Sequence, residues 1–181
     1  MSSQVALLRG MNVGGHRITN AELRDEFETL GFESVTTFRA SGNVIFEASG
    51  RSEGELIAAI ESGLEEALGY AVPTFVRHEA ELRAIADFDP FEARQLAASK
   101  GKLQVSLLSS KPTPRARKEA LALATDDDLL AIAERELYWL PSGGVLDSEL
   151  DQGVLDELLG QSTMRTKGTV EGMVAKLPTD G

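Results

Sequence analysis

An apolar run, Val5–Leu8, stops at Arg9 and gives way to a loop carrying Gly10, Gly14 and Gly15. Neighbouring residues of a strand point to opposite faces, so a strand over 4–9 with apolar side chains in succession is expected to be covered on both sides. The next seventy residues narrow the choice of folds. Thr19 with Glu22 three residues later is a capping-box signal, and Leu23, Phe27 and Leu30 make one apolar stripe before Gly31 stops the helix. Residues 35–40 are β-branched and aromatic, Ser41-Gly42-Asn43 marks a tight turn, and Val44–Phe46 begins the returning strand. Leu56, Ile57, Ile60, Leu64 and Leu68 then recur at helical spacing up to Gly69, and residues 73–77 form another strand. The order β-α-β-β-α-β over 4–78 is the split β-α-β, or ferredoxin-like, arrangement.

The second part repeats this scale. A short helix over 79–88 is broken by Asp89-Pro90-Phe91, and a strand is expected over 103–108. Pro112-Thr113-Pro114 opens a helix, and strands come next near 129–133 and 137–140, after the Asp126-Asp127-Asp128 turn. Helices near 146–159 and 166–177, separated by residues 160–165, close the chain. The expectation is an α+β protein of two ferredoxin-like units, 1–78 and 79–181, the second incomplete and followed by C-terminal helices.

Charge and composition bound the function. The net charge of −11 opposes extended duplex binding, because cationic neutralisation of phosphates supplies most non-specific affinity for DNA. Few aromatics fall on the central strands, which weighs against RNA stacking on the sheet. No apolar run approaches the roughly 20 residues of a membrane helix, and no signal-type segment is evident, so no membrane association is expected. With no cysteine there is no disulfide or thiolate chemistry, and a cytoplasmic location is the default expectation. His16 and His78 lack carboxylates at ligand spacing, so neither a metal site nor a cofactor is indicated.

Topology points to a site. In a ferredoxin-like sheet the first strand ends beside the start of the third, so Arg9-Gly-Met-Asn12 and Arg39-Ala-Ser-Gly-Asn43 should converge although about thirty residues separate them. Arg9, Asn12, Gly14, Gly15, Arg39, Ser41, Gly42 and Asn43 would then share one rim, with Arg165 a further candidate from the second half. Arginine offers a forked donor set suited to carboxylate or phosphate, and amides at the start of the first helix would add positive potential. The glycine spacing fits neither GxGxxG nor a P-loop. His16 has no orienting acid or nucleophile in view, Tyr138 and Trp139 read as sheet packing, and Asp126–Asp128, Asp147, Glu149 and Asp151 read as solvated. Arg115, Arg117 and Lys118 in the first turns of a helix oppose its dipole and hint at a partner.

The segment ALLRGMNVGG (6–15) resembles the start of a bacterial family of proteins, domain of unknown function 1697. Ser41-Gly-Asn-Val44, Asp89-Pro-Phe91, Tyr138-Trp-Leu-Pro141 and Thr163-Met-Arg165 are similar to further motifs of that family. The resemblance implies two ferredoxin-like α/β units and no established activity. After Arg165 the pattern departs: Thr169 matches, whereas Thr166 and Lys167 do not.

Three functions are compatible with these residues. The first is binding of a small anionic ligand at the two-loop rim. The second is an enzyme acting on a phosphorylated or carboxylated small molecule, for which only His16, Ser41 and scattered carboxylates offer acid–base or nucleophilic groups. The third is an interaction or structural protein, in which the duplicated half, or a second copy in a homodimer, covers the apolar sheet faces.

Overall fold

The computed structural model describes residues 2–12, 14–15, 17–39 and 42–179. It contains two four-stranded antiparallel sheets with helices, and contact density groups 1–84 with 172–181 as one unit and 85–171 as the other. The expected cut after residue 78 differs from this grouping at 79–84 and in the last ten residues.

In the first unit, β1 (Ser2–Leu8), α1 (Asn20–Thr29), β2 (Glu33–Thr37), β3 (Asn43–Ala48), α2 (Glu53–Leu68) and β4 (Thr74–His78) give the strand order β2-β3-β1-β4. Every neighbouring pair is antiparallel. Leu23 and Phe27 of α1 and Leu56, Ile60 and Leu64 of α2 pack on Ala6, Leu8, Val44, Phe46 and Val76. Phe27, Phe32 and Phe46 form an aromatic triangle with centroids 4.6–5.8 Å apart. Val5 and Leu7, on the opposite face, are also fully buried, as the unbroken apolar run requires. Burying side chains of this size contributes about 1.5–3 kcal/mol each.

Both helices start on a complete capping box. The Thr19 N–H donates to Glu22 Oε2 at 2.7 Å and the Glu22 N–H to Thr19 Oγ1 at 3.1 Å; Ser52 and Glu55 repeat the pair at 2.7 and 3.3 Å. The N–H groups of Thr19 and Ser52, followed by their hydroxyls, hold the Glu22 and Glu55 carboxyls below the usual glutamate range.

α3 (Glu79–Asp87) and α4 (Ala93–Ala98) precede the second sheet. There β5 (Gln104–Leu108), α5 (Pro114–Leu121), β6 (Asp128–Ala133), β7 (Glu136–Pro141), α6 (Gln152–Leu159) and β8 (Ser162–Thr166) give the order β6-β7-β5-β8. The second unit is therefore a complete ferredoxin-like unit, which corrects the expectation of an incomplete one. The segment expected as a spacer, 160–165, leads into β8: five residues, Ser-Thr-Met-Arg-Thr, paired with β5 from Ser162↔Leu108 to Thr166↔Gln104. Gly160 (φ 83°) stops α6 and releases the chain into that strand. The helix expected near 146–159 is shorter, with a 3-10 turn at Val145–Asp147 ahead of α6, and α7 (Lys167–Val174) continues directly from β8.

The duplication reaches individual residues. Arg77 on β4 stands opposite Val5 of β1, and Arg165 on β8 stands opposite Val105 of β5. Both arginines are buried, and each donates from Nη1 to the carbonyl of the preceding residue, Val76 at 3.0 Å and Met164 at 2.9 Å.

Two measurements check these roles. Phe46→Ala, which removes one corner of the aromatic triangle, should destabilise the protein by about 3–5 kcal/mol in denaturant unfolding. The lowered glutamate pKa values mean that the capping carboxylates stabilise the fold fully above the unfolded pKa and lose that effect as pH falls through the folded one. Glu55→Ala should therefore lower Tm at pH 7, and the gap from the unsubstituted protein should close in acid below the usual glutamate range.

Candidate functional site

The rim begins where β1 ends. The Leu8 N–H donates to the Gly42 carbonyl at 2.8 Å, continuing the β1–β3 ladder past its last pair, Leu7↔Asn43. One residue further the Arg9 N–H donates to the Pro73 carbonyl at 2.9 Å, so the chain is held on both sides before it turns. Gly10 (φ 74°) and Asn12 (φ 59°) are left-handed, and Met11 between them is buried with Leu8 and Ile18 in the core of this unit. Asn12 Oδ1 accepts the Ile18 N–H at 2.9 Å across the loop. An asparagine tolerates positive φ and bonds local backbone, which explains its place here. The loop is thus pinned at an apolar anchor and an amide bond while Gly14 (φ 60°) and Gly15 (φ 85°) lie exposed at its outer side.

The β2–β3 hairpin meets this loop. Asn43, almost fully buried, closes the hairpin through its side chain: Nδ2 donates to the Phe38 carbonyl at 3.0 Å while the Phe38 N–H donates to the Asn43 carbonyl at 3.0 Å. Gly42 (φ 75°) presses on β1 so closely that a Cβ there would lie 2.9 Å from Met11 Cγ and 3.0 Å from Leu8 Cβ. Arg39 is exposed and left-handed (φ 57°), and its carbonyl accepts Asn20 Nδ2 at 3.2 Å from the first residue of α1. Its guanidinium lies over the Phe38 ring, 5.2 Å from the centroid.

The structure therefore brings Arg9, Asn12, Gly42, Asn43 and Arg39 to one end of the first sheet, with Gly14 and Gly15 on the same loop. Ser41 and His16, the two side chains on which a catalytic reading leans most, lie outside the described residues. The expectation about the first helix needs correction. Its first-turn amide at Glu22 is satisfied by Thr19 Oγ1, and the Glu22 carboxylate itself sits at the helix start, where it offsets the positive potential of the helix amides. Arg165 belongs to the second unit, where Nη1 also donates to Thr163 Oγ1 at 2.8 Å. Burial pushes its guanidinium down to about 10, which leaves it protonated at neutral pH.

Other sequence candidates have structural roles. Trp139 Nε1 and Ser148 Oγ donate to Asp128 Oδ1 at 2.8 and 2.7 Å, beside a cavity of about 590 Å³ in the second unit. Asp128 therefore ties a strand end to the loop before α6 rather than standing in a solvated turn. Arg115 pairs with Glu119 one helical turn on at 2.8 Å. Among the described residues, no three His, Cys, Asp or Glu side chains gather to hold a metal ion, and no helix is long and apolar enough to cross a membrane. Asn20 and Phe38, which hold Arg39 at its carbonyl and its guanidinium, are not marked out by sequence reasoning. The asparagine at the first helical position is their one visible sign.

Comparison with known proteins agrees with this architecture. The family model described as a protein of unknown function, DUF1697, matches residues 1–138. The solved structure of the conserved bacterial protein SP0830 from Streptococcus pneumoniae is similar over 97% of this chain and 98% of that one, with a TM-score of 0.70 at 17% identity. At that identity the likeness is one of fold. No curated protein matches the sequence.

Gly42→Ala tests the rim's construction. The added Cβ meets Met11 and Leu8 at a left-handed residue, so a loss of about 1–3 kcal/mol is expected in denaturant unfolding, where a neutral change would mean the contact is loose.

Proposed function

We propose, for a chain that belongs to the DUF1697 family of proteins of unknown function, that the rim of its first unit binds a small anionic ligand bearing a carboxylate or phosphate group. One observation carries the reading. Two loops about thirty residues apart in sequence are locked together by the Leu8–Gly42 and Asn20–Arg39 hydrogen bonds, and each brings an arginine to the shared edge. A guanidinium presents donors in a fixed fork that matches two oxygens of a carboxylate or phosphate. Arg39 holds a left-handed backbone that a non-glycine residue adopts at a cost, and such strain is one device by which a ligand clamp is built. The setting adds selectivity. In a chain of net charge −11, two arginines on one edge add local positive charge that favours an anion there.

A thermal-shift screen of mono- and dianionic metabolites tests the proposal. A ligand present at 100 times its Kd stabilises by about 2.7 kcal/mol, or roughly 5–10 °C for a chain of this size. The shift should vanish or shrink severalfold in Arg9→Ala and Arg39→Ala. A ligand that raises Tm equally in both variants would place binding elsewhere.

A further inference from the structure

Gly172 occupies a helix interior, where glycine is among the least favourable residues. Its surroundings explain why it is there. A Cβ at this position would lie 2.5 Å from Cζ and 3.0 Å from Cε1 of Phe38, far inside the 3.5–4.0 Å or so at which carbon atoms rest against each other. The tip of the Phe38 ring is therefore seated on the bare backbone at Gly172, a residue of the same compact unit as the rim. The other end of this residue is held equally firmly, by the two hydrogen bonds that Asn43 makes to the Phe38 backbone. The face of the ring carries the Arg39 guanidinium at 5.2 Å, and the Arg39 carbonyl is tied to Asn20.

We infer that Gly172 and Phe38 are positioning residues for Arg39: the helix backbone seats the ring, and the seated ring holds the guanidinium toward the rim. A cation over an aromatic face is attracted by the ring quadrupole, so the ring's place decides where the guanidinium rests. Fixing a long side chain before a ligand arrives removes part of the ordering cost of binding. A methyl group at 172 has to push the ring by about 1 Å to reach ordinary contact, and the contact between ring and guanidinium shifts with it. The segment 172–181 thus contributes to the rim without presenting any group to a ligand. The affinity consequence rests on the proposed anion binding; the placement of Arg39 does not.

The experiment separates the two. Arginine Nε–Hε and Hδ resonances of Arg39, assigned by comparison with Arg39→Lys, are recorded for the unsubstituted protein, Gly172→Ala, Phe38→Leu and the double variant, with Tm measured for each. A guanidinium held over a ring shows upfield, ring-current-shifted protons. These should be present in the unsubstituted protein and relax toward free-arginine values in both single variants. Arg39 resonances at free-arginine values at the outset, or unmoved by Gly172→Ala, overturn the inference. Should Gly172→Ala fail to fold, Phe38→Leu decides alone through the heteronuclear NOE of Arg39 Nε–Hε, which removal of the ring itself does not set: it should fall as the guanidinium is released, and an unchanged value overturns the inference.

Titration with inorganic phosphate and with acetate supplies the second readout. Each single variant should bind about two- to fivefold more weakly, and Gly172→Ala should add nothing in the Phe38→Leu background, because both act through one ring. Additive losses in the double variant contradict that shared route. If neither phosphate nor acetate binds the unsubstituted protein while the ring-current pattern stands, anion binding falls and the positioning of Arg39 survives.

Discussion

The hydrogen bond from the Leu8 amide to the Gly42 carbonyl joins the two parts of the rim, and the close approach that goes with it leaves little room for a side chain at residue 42. Any Cβ there meets Leu8 and Met11. Met11 in turn is the apolar anchor that draws the loop after it back into the core. Beside this close approach lie the turn at Asn12, the Ile18 amide bonded to it, and the start of α1 tied to the Arg39 carbonyl. The rim is thus a product of sheet closure. Its polar groups are carried on backbone that the core already fixes, which is how a pair of loops can hold two arginines at one edge without a dedicated scaffold.

The same topology is used twice, with different consequences. In both sheets an arginine on the last strand stands opposite a valine of the central strand and turns Nη1 to the preceding carbonyl. Burying a guanidinium is expensive unless its donors are used, so these short-range bonds are part of what allows an arginine in that position. The repeat has been elaborated unevenly. The first unit has the glycine-rich turn after its opening strand; the second passes from β5 through Ser109–Thr113 into a helix opened by Pro114.

Much of this architecture is legible in the residues. The capping boxes at Thr19 and Ser52, the helical spacing of Leu56, Ile60 and Leu64 and the unbroken run Val5–Leu8 each report directly on burial or helix entry, and the convergence of the two loops comes from strand order. β8 is hidden for an equally physical reason. Ser-Thr-Met-Arg-Thr has no apolar alternation, and its buried positions are filled by Thr163 and Arg165, so only pairing with β5 makes it a strand. The start of α1 misleads because two signals compete there, anion-attracting amides and a capping glutamate, and the local glutamate wins. Phe38 on Gly172 leaves only an unfavourable helix glycine as its sign in the sequence, since a contact between residues so far apart along the chain has no periodic trace that names the partner.

The central claim is that the two loops form one anion-binding edge. A crystal structure of the protein grown with inorganic phosphate, solved also with tungstate to locate the anion by its scattering, addresses it directly. The anion is predicted to lie between the Arg9 and Arg39 guanidinium groups, within hydrogen-bond reach of both. An anion bound elsewhere while that edge stays closed by protein groups would contradict it.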